Sequence, residues 1–213
     1  MALHELTYAF DAYCGWCYGF GPAVHRFADE HGDRIRVRVL SGGLFIGERA
    51  LPVGAFPHIA GANARIAVMT GVRFGEPYQR LLADGTTVMD STMPAIGLIA
   101  LRRQAPEQAL AFTADVQNAW YRDGRSLGQV DVYTQIADQY GLDADQVARD
   151  FADPATRAEA QRDFVAVRRL GVAEYPTLLV HTARGAHRLG GVRSTPADLA
   201  AALDAYAGDR AAA

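Results

Sequence analysis

Cys14 and Cys17 are the chain's only two cysteines, and they lie three positions apart in the segment YAFDAYCGWCYGFG, residues 8 to 21. Two thiols at this spacing can close a small disulfide ring and open it again. A thiolate attacks a substrate disulfide, a mixed disulfide forms, and the second thiol resolves it. The pattern therefore predicts a redox dithiol.

The flanking residues predict that the pair lies at the start of a helix. Residues 5–11, ELTYAFD, favour a strand that ends just before the cysteines. Apolar side chains then recur at helical spacing from Cys17 to Phe27. A helix N-terminus stabilises a thiolate through its unpaired N–H groups and partial positive charge. We expect Cys14 to be the nucleophile and Cys17, one turn into the helix, to be the more buried resolving thiol.

Three neighbours of the thiols are candidates for supporting roles. Gly15 would let the backbone approach a substrate chain closely, and Trp16 could present a flat surface beside the reacting sulfur. Trp16 could equally pack against other helices of the chain. Asp11, three residues before Cys14, either relays a proton or ends the strand.

Other uses of the thiols stay open at this point. Structural zinc takes four ligands, and a single C-x2-C pair supplies two, which His25 and His31 would have to complete. Their spacing does not match a finger-like pattern, so we expect no metal site. An iron–sulfur cluster shared across a dimer and a pair of inert core thiols are further alternatives. We interpret the remaining histidines as surface or structural residues: His4, His58, His181 and His187.

The composition is typical of a globular enzyme, with 50% hydrophobic residues, 21% charged residues and a net charge of −3. Arginine is present and lysine is absent, which excludes a Schiff-base lysine and a phosphate-binding P-loop lysine. No basic block is interleaved with aromatic residues, so we expect no nucleic-acid partner.

The sequence also gives an expectation about location. No apolar stretch approaches the roughly 18 residues that a membrane span needs, so we expect no membrane partner. The start MALHELTYAFDAY lacks the pattern of a secretory signal, and we expect a cytoplasmic protein. In that reducing compartment, two cysteines are more often catalytic, metal-bound or unpaired than joined in a structural disulfide.

The order of predicted elements is strand, helix, strand, then helices, then a hairpin and a last helix. Alternation of apolar residues with Arg in RIRVRVLS, residues 34–41, predicts the second strand of a βαβ unit. Strands return at residues 176–182 and 186–189, and Pro196 opens the last helix. The intervening helices are expected after a cap at 90–94 and at 106–119, 130–139, 143–152 and 155–170.

A second motif, Glu174-Tyr175-Pro176-Thr177, stands immediately before the returning strand. Proline cannot donate to a strand ladder, so Pro176 fits the first position of a strand or an edge. The sequence leaves the Tyr175–Pro176 peptide open between cis and trans.

CGWC after a first strand and YPT before a later one resemble the thioredoxin superfamily, specifically the DsbA-like thiol:disulfide oxidoreductases. CGWCYGF and SGGLFIG are similar to the branch without signal peptides whose members are usually named protein-disulfide isomerases. The resemblance covers nearly the whole chain. It implies an α/β thioredoxin-like fold whose halves, residues 1–50 and 171–213, flank an inserted all-helical domain at 51–170.

The same resemblance implies roles for individual residues. Cys14 would attack, Cys17 would resolve, and Pro176 would be a cis-proline facing the dithiol. Tyr175 would offer its backbone groups to an extended substrate peptide.

The leading hypothesis is a thiol-disulfide oxidoreductase or isomerase that acts on disulfide-containing proteins or peptides, or on glutathione mixed disulfides. It would need no bound cofactor, and glutathione is a candidate co-substrate. The alternative is a glutathione-dependent transferase or isomerase of the kappa-class or 2-hydroxychromene-2-carboxylate isomerase type, in which a serine replaces the first cysteine. A non-enzymatic interaction module is a third hypothesis. The sequence leaves the direction of electron flow and the oligomeric state open.

Overall fold

The structure, a computed structural model, describes the backbone of residues 3–211 and the side chains of residues 3–206. Its strands are β1 (His4–Phe10), β2 (Ile35–Ser41), β3 (Leu51–Pro52), β4 (Val88–Met89), β5 (Thr177–Thr182) and β6 (Gly185–Gly190). Its helices are α1 (Gly15–Glu30), α2 (Ile59–Thr70), α3 (Glu76–Asp84), α4 (Thr92–Gln104), α5 (Ala109–Tyr121), α6 (Val130–Gln139), α7 (Ala144–Ala152), α8 (Pro154–Arg169) and α9 (Pro196–Ala211).

The central sheet has four strands in the order β2-β1-β5-β6. Strand β1 runs parallel to β2 and antiparallel to β5, and β5 and β6 form an antiparallel hairpin. The parallel pair is joined through α1, as a βαβ unit requires. Because Cys14 directly precedes α1, the dithiol lies beyond the end of β1, a central strand of the sheet.

Side chains along each strand point alternately to the two faces of the sheet, so each face has its own hydrophobic core. Leu6, Tyr8 and Phe10 of β1 share a large cluster with residues of α1 and α9, among them Phe20, Val24, Phe27, Leu199 and Leu203. On the opposite face, Ala9, Leu40 and Leu179 pack with Val167 of α8. The sheet therefore has α1 and α9 on one face and α8 on the other.

A partly buried ion cluster fixes α4 and α8 against the sheet. The guanidinium of Arg102 lies 2.9 Å from Asp163 and 3.2 Å from Glu159, and it also donates to the Val39 carbonyl at 3.2 Å. Asp163 is almost fully buried, so removal of Arg102 would leave a buried carboxylate without its charge partner.

The predicted elements need three corrections. A small sheet of β3 and β4 interrupts the segment predicted to be helical, because strands of two residues carry no periodicity. A short 3₁₀ turn at Pro106–Gln108 precedes α5, which the sequence predicted to begin at the proline. The helices predicted from 143 and 155 begin at Ala144 and Pro154, each after an aspartate N-cap.

The domain boundaries after residues 50 and 170 stay predictions. Helix α8 falls within the predicted inserted domain, yet it packs on β2 and covers one face of the central sheet.

Candidate functional site

Cys14 is the N-cap residue of α1. Its backbone is extended, with φ −83° and ψ 107°, and its N–H donates to the Asp11 carbonyl at 3.0 Å. The Sγ atom of Cys14 accepts the backbone N–H of Cys17 at 3.3 Å. An N-cap side chain normally supplies an oxygen for this bond, and here the sulfur occupies that position. A thiolate at Cys14 would thus lie at the positive end of the helix.

The two thiols differ in environment. Cys14 is 6% exposed, and its Sγ–H donates to the Tyr175 carbonyl at 3.5 Å, whereas Cys17 is fully buried. Burial raises the pKa of the Cys17 thiol well above its ordinary value, and the hydrogen bond and charge of Cys14 raise it further. Cys17 is consequently held as the thiol at neutral pH, and only Cys14 reaches the surface.

Tyr175, in the segment before β5, borders Cys14 through its carbonyl, and Pro176 follows it. The Tyr175–Pro176 peptide bond is cis. The Tyr175 hydroxyl donates to the Gly42 carbonyl at 2.6 Å. The structure thus brings together residues of three distant segments: the dithiol loop, the loop after β2 and the start of β5.

Trp16 is partly exposed and lines a surface groove of about 460 Å³ with Tyr175, Pro176 and Arg193. Met69 of α2 lies in the same lining, so the groove runs between the helical segment and the loop before α9. The dithiol is therefore bordered by a concave surface.

Gly15 is approached by a helix of the same chain. A Cβ at Gly15 would lie 2.9 Å from Cδ1 of Ile66 and 3.1 Å from Oδ1 of Asn63, both on α2. A Cβ at Gly19, one turn later, would lie 2.8 Å from Cγ2 of Ile66. These two glycines allow α2 to pack closely beside the dithiol. The substrate contact predicted for Gly15 stays a prediction.

Asp11 does more than end a strand. Its carboxylate is buried, with the residue 2% exposed, and accepts the N–H groups of Tyr13 at 3.0 Å and Leu44 at 2.7 Å. Burial raises the pKa of Asp11, while hydrogen bonds from Leu44, Ser91, Tyr13 and Gly43 act in the opposite direction. Asp11 therefore joins the loop before Cys14 to the loop after β2, a role that no local pattern predicted.

The histidines considered as metal ligands do not gather with the cysteines. His25 Nε2 lies 3.4 Å from the hydroxyl of Thr113, and His31 is the C-cap of α1. Among the side chains of residues 3–206, no group of three or more His, Cys, Asp or Glu could hold a metal ion. Over the same described range, no helix combines the length and apolarity needed to cross a bilayer.

Comparison with known proteins adds to this geometry. The family described as the DSBA-like thioredoxin domain matches residues 5–197. The chain belongs to the DsbA-like thioredoxin family. This assignment confirms the predicted family and its α/β thioredoxin-like fold. A search of curated proteins gives no match.

Solved structures of DsbA-like proteins resemble the chain over nearly its full length. Cytosolic disulfide reductase DsbM from Pseudomonas aeruginosa is 29% identical, with a TM-score of 0.80 over 94% of this chain and 97% of DsbM. Its structure with GSH is 30% identical, with a TM-score of 0.77 over 94% of this chain and 98% of DsbM.

Two further structures show the fold alone, since their identity is low. One, assigned as a protein disulfide isomerase from Nitrosomonas europaea, is 19% identical with a TM-score of 0.81, covering 98% of this chain and 99% of its own. A 2-hydroxychromene-2-carboxylate isomerase is 14% identical with a TM-score of 0.65, covering 97% of this chain and 96% of its own.

Proposed function

We propose that this protein is a cytoplasmic thiol-disulfide oxidoreductase that reduces disulfides with Cys14 as the attacking thiol and Cys17 as the resolving thiol. The observation that carries the proposal is the position of the Cys14 sulfur. It caps α1 at 3.3 Å from the Cys17 N–H, while Tyr175 presents its carbonyl at 3.5 Å. The sulfur is thus close to its resolving residue and next to a backbone group that can bind a substrate.

The proposed reaction consists of two successive thiol–disulfide exchanges. The Cys14 thiolate attacks one sulfur of a substrate disulfide, a mixed disulfide forms, and the other substrate sulfur leaves and takes up a proton. Cys17 gives up its proton and attacks Cys14 Sγ, which releases the second substrate thiol. The substrate has gained two electrons, and the enzyme holds a Cys14–Cys17 disulfide. Two glutathione molecules then restore the dithiol and leave as glutathione disulfide.

The proposed direction of electron flow and the proposed reductant are based on DsbM, which is more similar in sequence to this chain than the other two relatives described above. DsbM is named a cytosolic disulfide reductase and has been solved with GSH, at 29% and 30% identity to this chain. We propose disulfide-containing proteins or peptides and glutathione mixed disulfides as substrates. The Tyr175 carbonyl would accept an N–H of an extended substrate, as in strand addition, and Trp16 and Pro176 would form the wall of its groove.

The glutathione-dependent transferase or isomerase hypothesis has less support. Its structural relative shares the fold at 14% identity, which carries no activity to this chain. A cysteine at position 14, with a second cysteine capable of resolving it, fits redox exchange better than simple thiol binding.

The test is reduction of insulin and of a glutathionylated peptide by the wild type, Cys14→Ser and Cys17→Ser, with glutathione as the reductant. We expect Cys14→Ser to be inactive and Cys17→Ser to accumulate a mixed disulfide detectable by intact mass. Equal activity in all three proteins would contradict the proposal. Turnover of an aromatic electrophile with glutathione that survives Cys17→Ser would support the transferase hypothesis instead.

A further inference from the structure

A second groove lies on the face of the sheet opposite α1. It has a volume of about 700 Å³ and runs between α8 and the strands β1, β2 and β5. Its apolar surface includes Val165, which is 37% exposed, and the partly buried Leu170. The volume lies within the roughly 300 to 1,000 Å³ typical of small-molecule sites. The first half of β1 lines this groove, whereas the dithiol follows the C-terminal end of the same strand.

The groove is lined by three arginines, Arg38 from β2 and Arg162 and Arg169 from α8. Within the part of the chain that the structure describes, their guanidinium groups form no ion pair or side-chain hydrogen bond. Arginines elsewhere, such as Arg102 and Arg103, lie within 3.2 Å of carboxylates. The groove therefore gathers positive charge that the fold itself does not neutralise.

Polar groups at the floor add to this environment. His181 of β5 and Thr7 of β1 share a hydrogen bond of 2.8 Å between Nε2 and Oγ1. Arg38 lies directly opposite Thr7 in the parallel β1–β2 register. Among the described lining residues, Glu5 is the one carboxylate. The balance of charge in the groove is positive although the whole chain carries a net charge of −3.

We propose that this groove binds a small organic anion, with its acid groups on Arg38, Arg162 and Arg169 and its apolar body against Val165 and Leu170. The planar guanidinium matches carboxylate, phosphate and sulfonate oxygens with two parallel hydrogen bonds. The apolar surface between α8 and the sheet favours a ligand with a hydrocarbon or aromatic portion. A second copy of the chain, docked symmetrically, would bring like charges together and is disfavoured.

The test uses two dyes of matched shape that differ in charge: anilinonaphthalene sulfonate, which carries a sulfonate, and the neutral N-phenylnaphthylamine. Fluorescence titration gives a Kd for each with the wild type, Arg38→Gln, Arg162→Gln and Arg169→Gln. Arg65→Gln is the control, because Arg65 is exposed on α2 and does not line the groove. We expect each groove variant to weaken sulfonate binding about tenfold. The control variant should leave it unchanged.

Binding of the neutral dye should be weaker than that of the sulfonate and equal in all five proteins. Equal Kd values for the sulfonate in wild type and groove variants would overturn the proposal. Displacement of the bound dye by a single-stranded oligonucleotide, but not by inorganic pyrophosphate, would overturn it in favour of a nucleic-acid surface. The groove lies apart from the dithiol, so insulin reduction by the three groove variants should match the wild type. Loss of dye binding and loss of the redox activity can therefore be told apart.

Discussion

Tyr175 and Gly42 are hydrogen-bonded although they lie 133 positions apart in the sequence: the Tyr175 hydroxyl donates to the Gly42 carbonyl at 2.6 Å. The tyrosine ring also fills the space into which a side chain at position 42 would project. The carbonyl of the same tyrosine faces the Cys14 sulfur. The loop after β2 thereby fixes the segment that borders the dithiol.

Gly42→Ala should disturb this arrangement, because the added methyl group collides with the Tyr175 ring. We expect a loss of about 1 to 3 kcal/mol in the free energy of unfolding, as for other overpacked sites, and a lower rate of insulin reduction. Urea unfolding and the insulin assay measure the two effects. Gly61→Ala on α2 is the control, since its new methyl group meets nothing within 4 Å. It should stabilise the protein by up to about 1 kcal/mol.

The second exchange step should depend steeply on pH. Burial is the largest cause of the raised pKa of Cys17, and we expect this burial to persist while Cys14 is held in a mixed disulfide. Because the thiolate is the attacking species, the resolution rate should rise about tenfold per pH unit below that pKa. Rapid-quench measurement of the decay of a preformed Cys14–glutathione disulfide gives this rate between about pH 6 and about pH 9. A rate independent of pH in this range would contradict the assignment of Cys17 as a buried resolving thiol.

Asp11→Asn should change how stability depends on pH. The folded-state pKa of Asp11 is raised, so the folded protein holds this proton more tightly than the unfolded chain. Protonated Asp11 therefore stabilises the wild type at low pH. This contribution to the free energy of unfolding is lost as the pH rises from the ordinary aspartate range through the raised pKa of Asp11, whereas the variant has no such contribution to lose.

At acid pH we expect the variant to be less stable by about 1 to 3 kcal/mol, because an amide cannot accept both backbone N–H groups on separate oxygens. The difference in the free energy of unfolding between the wild type and the variant should become smaller at higher pH. Urea unfolding of both proteins at about pH 4 and about pH 8 measures the difference. A deficit that widens with pH would show that the Asp11 pKa is lowered.

The packing of α2 on the dithiol loop gives a fourth prediction. An alanine at Gly15 would contact Cδ1 of Ile66, whereas one at Gly19 would contact Cγ2. Ile66→Val removes Cδ1 and keeps Cγ2. We expect Ile66→Val to relieve the destabilisation caused by Gly15→Ala by about 1 kcal/mol in a double-mutant cycle. The same cycle with Gly19→Ala should show almost no coupling, and equal coupling in both would contradict this packing.

Local patterns were sufficient for much of the fold. Helix α6 has the predicted bounds, Val130–Gln139, because its apolar face is regular and Gly141 follows it. The starts of α7 and α8 were predicted within one residue, since Asp143 and Asp153 are strong N-caps. The positions of Cys14 and Cys17 at the start of α1 also follow from neighbouring residues alone.

Contacts between distant segments were not predictable from such patterns. Ser91 lies in the expected cap of α4, yet its hydroxyl accepts the N–H of Phe45 at 2.9 Å, and Asp90 accepts the N–H of Thr92 instead. Asp11 and Leu44, which lie 33 positions apart in the sequence, come together where β2 pairs with β1. The close approach of α2 to Gly15 likewise depends on tertiary packing, which no sequence period encodes.

The cysteines belong to the start of the chain, while the carbonyl that faces Cys14 comes 161 positions later. During synthesis a ribosome therefore releases both sulfurs long before the segment that shelters them has been made. Until that segment emerges, the nascent chain lacks the carbonyl that borders Cys14 in the folded structure.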